Sequence, residues 1–197
     1  MTPESLVSIG VGLALAAAAG FRVFVPLLAL SLAARSGWVE LSPSFAWLAT
    51  TPASLALGTA MVLEIAAYYV PVFDNALDAL GAPVAVLAGM LASASLLTDL
   101  PPWVQYTVAV IGAGGTAGVV HGATSLLRLK STAATAGFGN PVIATVELIG
   151  SILIAVAALL APLFALALAA LIVVFVTRRF NEWRRGNGRA AAGSSPG

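Results

Sequence analysis

Between Asn140 and Thr177 the only charged side chain is Glu147, and the stretches 5–34, 41–73 and 100–127 carry Arg22, Glu64 and no charge respectively. Runs this long meet the requirement of about 20 apolar residues for a helix that crosses a bilayer. There are too many of them to bury in one core. The composition agrees: 60% of the 197 residues are hydrophobic and 9% charged, where a soluble domain carries roughly 25% charged residues. The chain is read as a single integral membrane domain, and intrinsic disorder is excluded for its body. A net charge of +1 gives no basic field for nucleic acid. The absence of cysteine removes disulfides, thiolate metal sites and thiol nucleophiles together. No Lys or Arg precedes the first apolar run, so that run reads as a retained membrane helix and not as a cleavable signal peptide.

Clusters of Pro, Gly, Asn, Asp and Arg divide the chain into six expected spans, 5–34, 52–73, 82–98, 102–127, 140–161 and 162–180. Thr51-Pro52 and Asn140-Pro141 supply the polar cap and early proline of a helix start. The predicted fold is an all-α polytopic bundle over residues 1–185 with a small, polar, disordered tail at 186–197. Six spans put both termini and the loops 74–81 and 128–139 on one side, with Arg128, Lys130, Arg178, Arg179, Arg184, Arg185 and Arg189, against Arg35 on the other. That bias places both termini in the cytoplasm, and the expected location is a bacterial inner membrane. Arg178, Arg179, Arg184 and Arg185 read as a topology anchor, or as a contact for anionic lipid headgroups.

Three spans per half make any internal repeat an inverted one, the architecture of many small transporters. Two stretches suggest it: Met61-Val62-Leu63-Glu64-Ile65 in the second span and Ala144-Thr145-Val146-Glu147-Leu148 in the fifth. The first and fourth spans are both interrupted by glycine, at Gly20-Phe21-Arg22 with Pro26, and at Gly112 to Gly118 ahead of His121. Gly114, Gly118 and Gly122 recur every fourth residue, the spacing that lets membrane helices touch, within the bundle or against a second copy of the chain.

Four ionisable residues fall inside the spans: Arg22, Glu64, His121 and Glu147. Inserting a charged residue at the centre of a membrane helix costs on the order of 2.5–3.5 kcal/mol, so such groups face the bundle interior and find partners. One arginine cannot satisfy two separated carboxylates. At least one glutamate is therefore expected to be protonated, to pair with His121, or to bind a cation. On this reading Glu64 and Glu147 line an ion or solute path, Arg22 is their counter-ion and His121 a proton relay. The rival reading is a permanent ion pair that fixes packing. Asp74 and Asp78, four residues apart beside Asn75, together with Asn140, form either the cytoplasmic mouth of that path or a solvated turn. The sequence holds no metal-ligand spacing, no nucleophile motif and no phosphate loop. No enzyme activity, cofactor or metal is expected.

Gly20-Phe21-Arg22 with Pro26, Leu63-Glu64 followed by Pro71, Asp74-Asn75-Ala76-Leu77-Asp78, and Gly139-Asn140-Pro141-Val142 with Glu147 resemble the motifs of a bacterial family, domain of unknown function 4126. The resemblance covers about residues 5–185 and implies a multi-pass membrane protein without an assigned activity. Its motif positions are Arg22, Glu64, Asp74, Asp78, Asn140 and Glu147. The sequence thus predicts transport or conduction of an ion or small solute, with a non-catalytic scaffold or assembly subunit as the alternative.

Overall fold

Pro26 decides the path of the first 35 residues. It has no N–H for the carbonyl of Arg22 and its ring collides with that carbonyl, so a helix cannot run on through this point. In the computed structural model, which describes residues 3–69, 71–98 and 100–160 together with Leu171, Val174 and Arg178, and only the backbone of 71–79, helix α1 is Pro3–Phe21 and α2 is Phe24–Arg35. The remaining described helices are α3 Thr51–Tyr68, α4 Pro71–Leu96, α5 Pro102–Thr135 and α6 Asn140–Leu160, with a 3-10 turn at Pro43–Ala49. No strand occurs among the described residues. The fold is an all-helical membrane bundle. Among the described residues four helices are long and apolar enough to cross a bilayer, α1, α3, α5 and α6, and two shorter apolar stretches are Phe24–Arg35 and Leu80–Leu96.

The expected first span, 5–34, is a helical hairpin, not one crossing. Ser151 of α6 donates to the carbonyl of Ala18 at 2.9 Å, and Arg22 donates to the carbonyl of Ala144 at 2.7 Å, so α1 and α6 are antiparallel. Further along α6, Val156 and Leu160 line one pocket with Ala29, Ala33 and Ser36 of the α2 end. Only a chain that reverses at Arg22-Val23 can bring residue 36 back beside residue 160. Helix α3 then runs against α2, with Ser31 tied to Ser54 at 2.8 Å and to the carbonyl of Leu48 at 2.6 Å. Helix α4 runs against α1, where Gly12 meets Ser93 and Gly89 meets Ala16, and α5 runs parallel to α1, where Gly20 meets Ala117 and Val120.

Three chain reversals therefore gather at one end of the bundle: Arg22-Val23, the passage from α3 to α4 after Tyr69, and 136–139. Pro3 and residues 36–50, 97–98 and 100–101 lie at the other. This overturns the one-sided grouping of the N-terminus with 128–139, because the extra reversal at Arg22 places Lys130 and Pro3 at opposite ends. Nor is 74–81 a loop: α4 begins at Pro71 and carries Asp74 and Asp78 near its start. Likewise α5 continues past residue 127 to Thr135, and ends where Ala136 and Gly137 take φ of 52° and 89°, the left-handed region that reverses the chain. The glycine interruption of the fourth span takes the form of a π-helical turn, Val108–Gly114, inside one long helix. The corresponding first spans of the two halves thus differ in kind, one a hairpin and the other continuous. The expected span 162–180 and the tail 186–197 fall outside the described residues except at Leu171, Val174 and Arg178.

The packing glycines are only partly those of the four-residue repeat. A Cβ on Gly114 or Gly118 would meet Met90 or Val86 of α4 at 3.0 and 3.2 Å, whereas one on Gly122 meets nothing within 4 Å. Gly122 is exposed, which corrects its assignment as a contact residue. Closer approaches to other helices lie elsewhere, at Gly12, Gly20, Gly81 and Gly89 among others. A Cβ on Gly20 would sit 2.6 Å from Val120 Cβ and 2.7 Å from the carbonyl oxygen of Ala117. Because backbone cannot step aside, Gly20→Ala is expected to destabilise the protein by about 1–3 kcal/mol, the usual range for overpacking. Gly122→Ala is expected to be neutral or slightly stabilising, as Ala is the better helix former. Unfolding in mixed detergent micelles, followed by circular dichroism, checks both.

Candidate functional site

At the closed end of the hairpin the chain exposes the two kinds of orphan group that helix termini leave behind. The first N–H groups of α2 have no partner within the helix, and the carboxylate of Glu64, reaching across from α3, accepts from Val23 N at 2.8 Å and from Phe24 N at 3.1 Å. Arg22 closes the C-terminal end of α1. Each charge thus sits at the helix end whose partial charge it opposes, an anion at an N-terminus and a cation at a C-terminus. The partnership expected between Arg22 and Glu64 is in this way indirect. The arginine stands at one end of the turn, and the carboxylate holds the other.

Arg22 is 1% exposed and Glu147 4%, and Nη2 of the former lies 3.7 Å from the carboxylate of the latter. The main partner of Glu147 is a residue that the sequence reading placed in a loop. Arg128 of α5, 2% exposed, forms a two-pronged pair with it, Nε to Oε1 at 3.1 Å and Nη2 to Oε2. Both guanidinium groups also stack over the ring of Tyr68, at 3.8 Å for Arg22 and 4.1 Å for Arg128. Such cation–π contacts gain strength when desolvated. Two arginines and two glutamates make a formally neutral cluster. The premise that one arginine must serve two carboxylates therefore falls, since Arg128 supplies the missing charge.

The signal for both missed residues was present. Arg128 is seven residues beyond His121 and Tyr68 four beyond Glu64, spacings that share a helix face. No Pro or Gly stands between Gly122 and Gly137 to end α5 early.

His121 is buried on the inner face of α5. Its imidazole lies against the backbone of Gly81, so close that a Cβ there would fall 2.6 Å from Cε1 and 2.7 Å from Nε2. Asn140 is buried at the start of α6 and donates to Thr132 Oγ1 at 3.0 Å, so it ties α5 to α6 across their turn. Asp74 and Asp78 lie on α4, and their side chains are outside the described residues. Arg178 is exposed, while Arg179, Arg184 and Arg185 are outside the described residues.

Between α2, α3 and α4 a cavity of about 400 Å³ opens beside this cluster, lined by Phe24, Leu63, Glu64, Tyr68, Gly81 and Val84 among others. Of the four charged groups only Glu64 lines it. Among the described residues the rest of the wall is apolar apart from Tyr68. Helix α1, at 1.5 Å per residue, is about 28 Å long, close to the roughly 30 Å of a hydrocarbon core. The cluster thus lies about one helix length from the start of α1. No group of three or more His, Cys, Asp or Glu that could hold a metal occurs among the described residues.

Comparison with curated proteins and with solved structures gave no match. A family model described as "Domain of unknown function (DUF4126)" matches residues 9–182. That span holds the hairpin turn at Arg22, the Glu64 cap, the α4 start at Asp74 and Asp78, and the Arg128–Glu147 pair, and the chain belongs to the DUF4126 family.

Proposed function

We propose that this membrane protein moves a small solute or ion, with the cavity beside Glu64 as its binding site and the Arg22, Arg128, Glu147 and Tyr68 cluster as the rigid wall behind it. The observation that carries this reading is the double duty of Glu64. Its carboxylate holds the start of α2, and the same carboxylate lines a cavity large enough for a small molecule, in the roughly 300–1,000 Å³ range of ligand sites. Broken helices whose ends face a charged group are a recurrent feature of transporter sites, because backbone at membrane depth must be satisfied by protein, water or solute. A solute that draws Glu64 away also loosens α2, which couples occupancy to the hairpin. His121 packs on Gly81 of the cavity wall, and on this reading it serves as a proton relay. The reading takes the protein as a non-enzyme of a bacterial inner membrane.

A second reading, a scaffold or assembly subunit with no solute, draws on the neutrality of the cluster and the two-pronged Arg128–Glu147 pair, which are what a purely structural ion network needs. Accessibility separates the two. Single cysteines at Ala67, which lines the cavity, and at Ser151, fully buried between α1 and α6, are to be treated with a membrane-impermeant thiol reagent in right-side-out and inverted vesicles. Transport predicts labelling at Ala67→Cys from at least one side and protection at Ser151→Cys. Protection at both positions in folded protein contradicts the transport reading and favours the scaffold.

A further inference from the structure

Resting on the reading of this cavity as a solute site, we infer that its ligand is a small apolar cation, a quaternary or protonated amine. Charge at the wall points that way. Glu64 is 7% exposed and each of its carboxylate oxygens accepts one backbone N–H. An ionised carboxylate has about four lone-pair sites, so roughly half its accepting capacity remains for a donor in the cavity. The two guanidinium groups that could attract an anion are not in the wall. They lie over the ring of Tyr68, which itself lines the cavity, and neither arginine is among its described lining residues. An anion would therefore meet a carboxylate in an apolar enclosure.

Among neutral and positive ligands the cation has the advantage, because the attraction between opposite charges is much larger beside apolar walls than in water, and a protonated amine adds a charge-assisted hydrogen bond to it. The rest of the lining selects for apolar substance. Val23, Leu63, Leu80 and Val84 contribute hydrocarbon, and Phe24 contributes an aromatic ring, the side chain type that recognises quaternary ammonium groups. Among the described lining residues a bare metal ion finds one carboxylate and too few oxygens to replace its water shell. An amine with an apolar body satisfies both parts of the wall.

The test uses the full chain purified in detergent, with radiolabelled benzyltrimethylammonium in equilibrium dialysis. Its charge is permanent, so protonation of the probe plays no part. Saturable binding is expected, with no competition by benzenesulfonate. Binding should weaken at least tenfold in Glu64→Gln, and also in Ala60→Phe, which fills the cavity without altering the carboxylate. Gly122→Ala should bind as the parent does. Absence of saturable binding, equal competition by benzenesulfonate, or full binding in folded Glu64→Gln and Ala60→Phe overturns the inference. The thiol experiment keeps the two claims apart: if Ala67→Cys labels but the amine neither binds nor slows labelling, the ligand class is wrong and the solute path stands. If Ala67→Cys is protected in both vesicle types, the path itself is wrong and the inference falls with it.

Discussion

Arg128→Met is expected to lower the unfolding free energy by about 3–5 kcal/mol, the range seen when one member of a buried ion pair is removed. The loss is so large because of what remains behind. Among the described residues Glu147, 4% exposed, keeps the 3.7 Å approach of Arg22 Nη2 and is otherwise shut off from solvent. Adding Glu147→Gln should recover at least half of the loss, because it removes the stranded charge and keeps the volume. Tyr68 offers an internal comparison. Tyr68→Phe preserves the ring under both guanidinium groups and should cost less than Tyr68→Leu, which removes the ring that both cations share. Denaturation of the four variants in mixed micelles checks the series. A loss below about 1 kcal/mol for Arg128→Met, the scale of an exposed salt bridge, would show that the pair is solvated.

The second large effect is at Glu64. Glu64→Ala leaves the N–H groups of Val23 and Phe24 without their acceptor at a buried helix start, and an orphaned buried donor costs about 1–3 kcal/mol. Two such donors make the expected loss roughly 2–5 kcal/mol, concentrated at the start of α2. Hydrogen exchange is the specific readout: the first turn of α2 should lose protection while α5 and α6 keep theirs. Glu64→Gln retains one carbonyl oxygen, so about half of the loss is expected. Uniform loss across all helices would mean that Glu64 supports the bundle generally, not the hairpin turn.

Several features of this site can be read from the chain alone, and others cannot, for identifiable reasons. Apolar runs of about 20 residues announce membrane helices because backbone in lipid must bond within itself. The cost of an inserted charge singles out Arg22, Glu64 and Glu147, and all three are buried at one end of the bundle. Pro26 marks a break, but a break by itself does not distinguish a kink from a reversal. What decides it is Glu64, 40 residues away, which caps a new helix start at Phe24, and capping by a distant residue leaves no local pattern. The mistaken grouping of loops follows from that one reversal, since a missed turn exchanges the side of every later segment. Arg128 was hidden by a loop boundary drawn at residue 128, seven residues before α5 ends at Thr135. The glycine repeat misled at Gly122 because a period of four drifts off a helix face that turns every 3.6 residues. The tight contacts at Gly20 and Gly89 depend on which helices neighbour α1, and no local spacing reports that.

All of these contacts depend on α1 and α2 running in opposite directions, and that is the claim to measure first. Glu4 and Ser36 are both exposed and stand at the two ends of the hairpin. Single cysteines at these positions, probed with an impermeant thiol reagent in intact and inverted vesicles, report their sides directly. The hairpin predicts that Glu4→Cys and Ser36→Cys label from the same side, with a cysteine at Ala134, exposed near the opposite end of the bundle, labelling from the other. Labelling of Glu4→Cys and Ser36→Cys from opposite sides would mean that 5–34 is one continuous crossing, and would contradict the cap, the cluster and the cavity together.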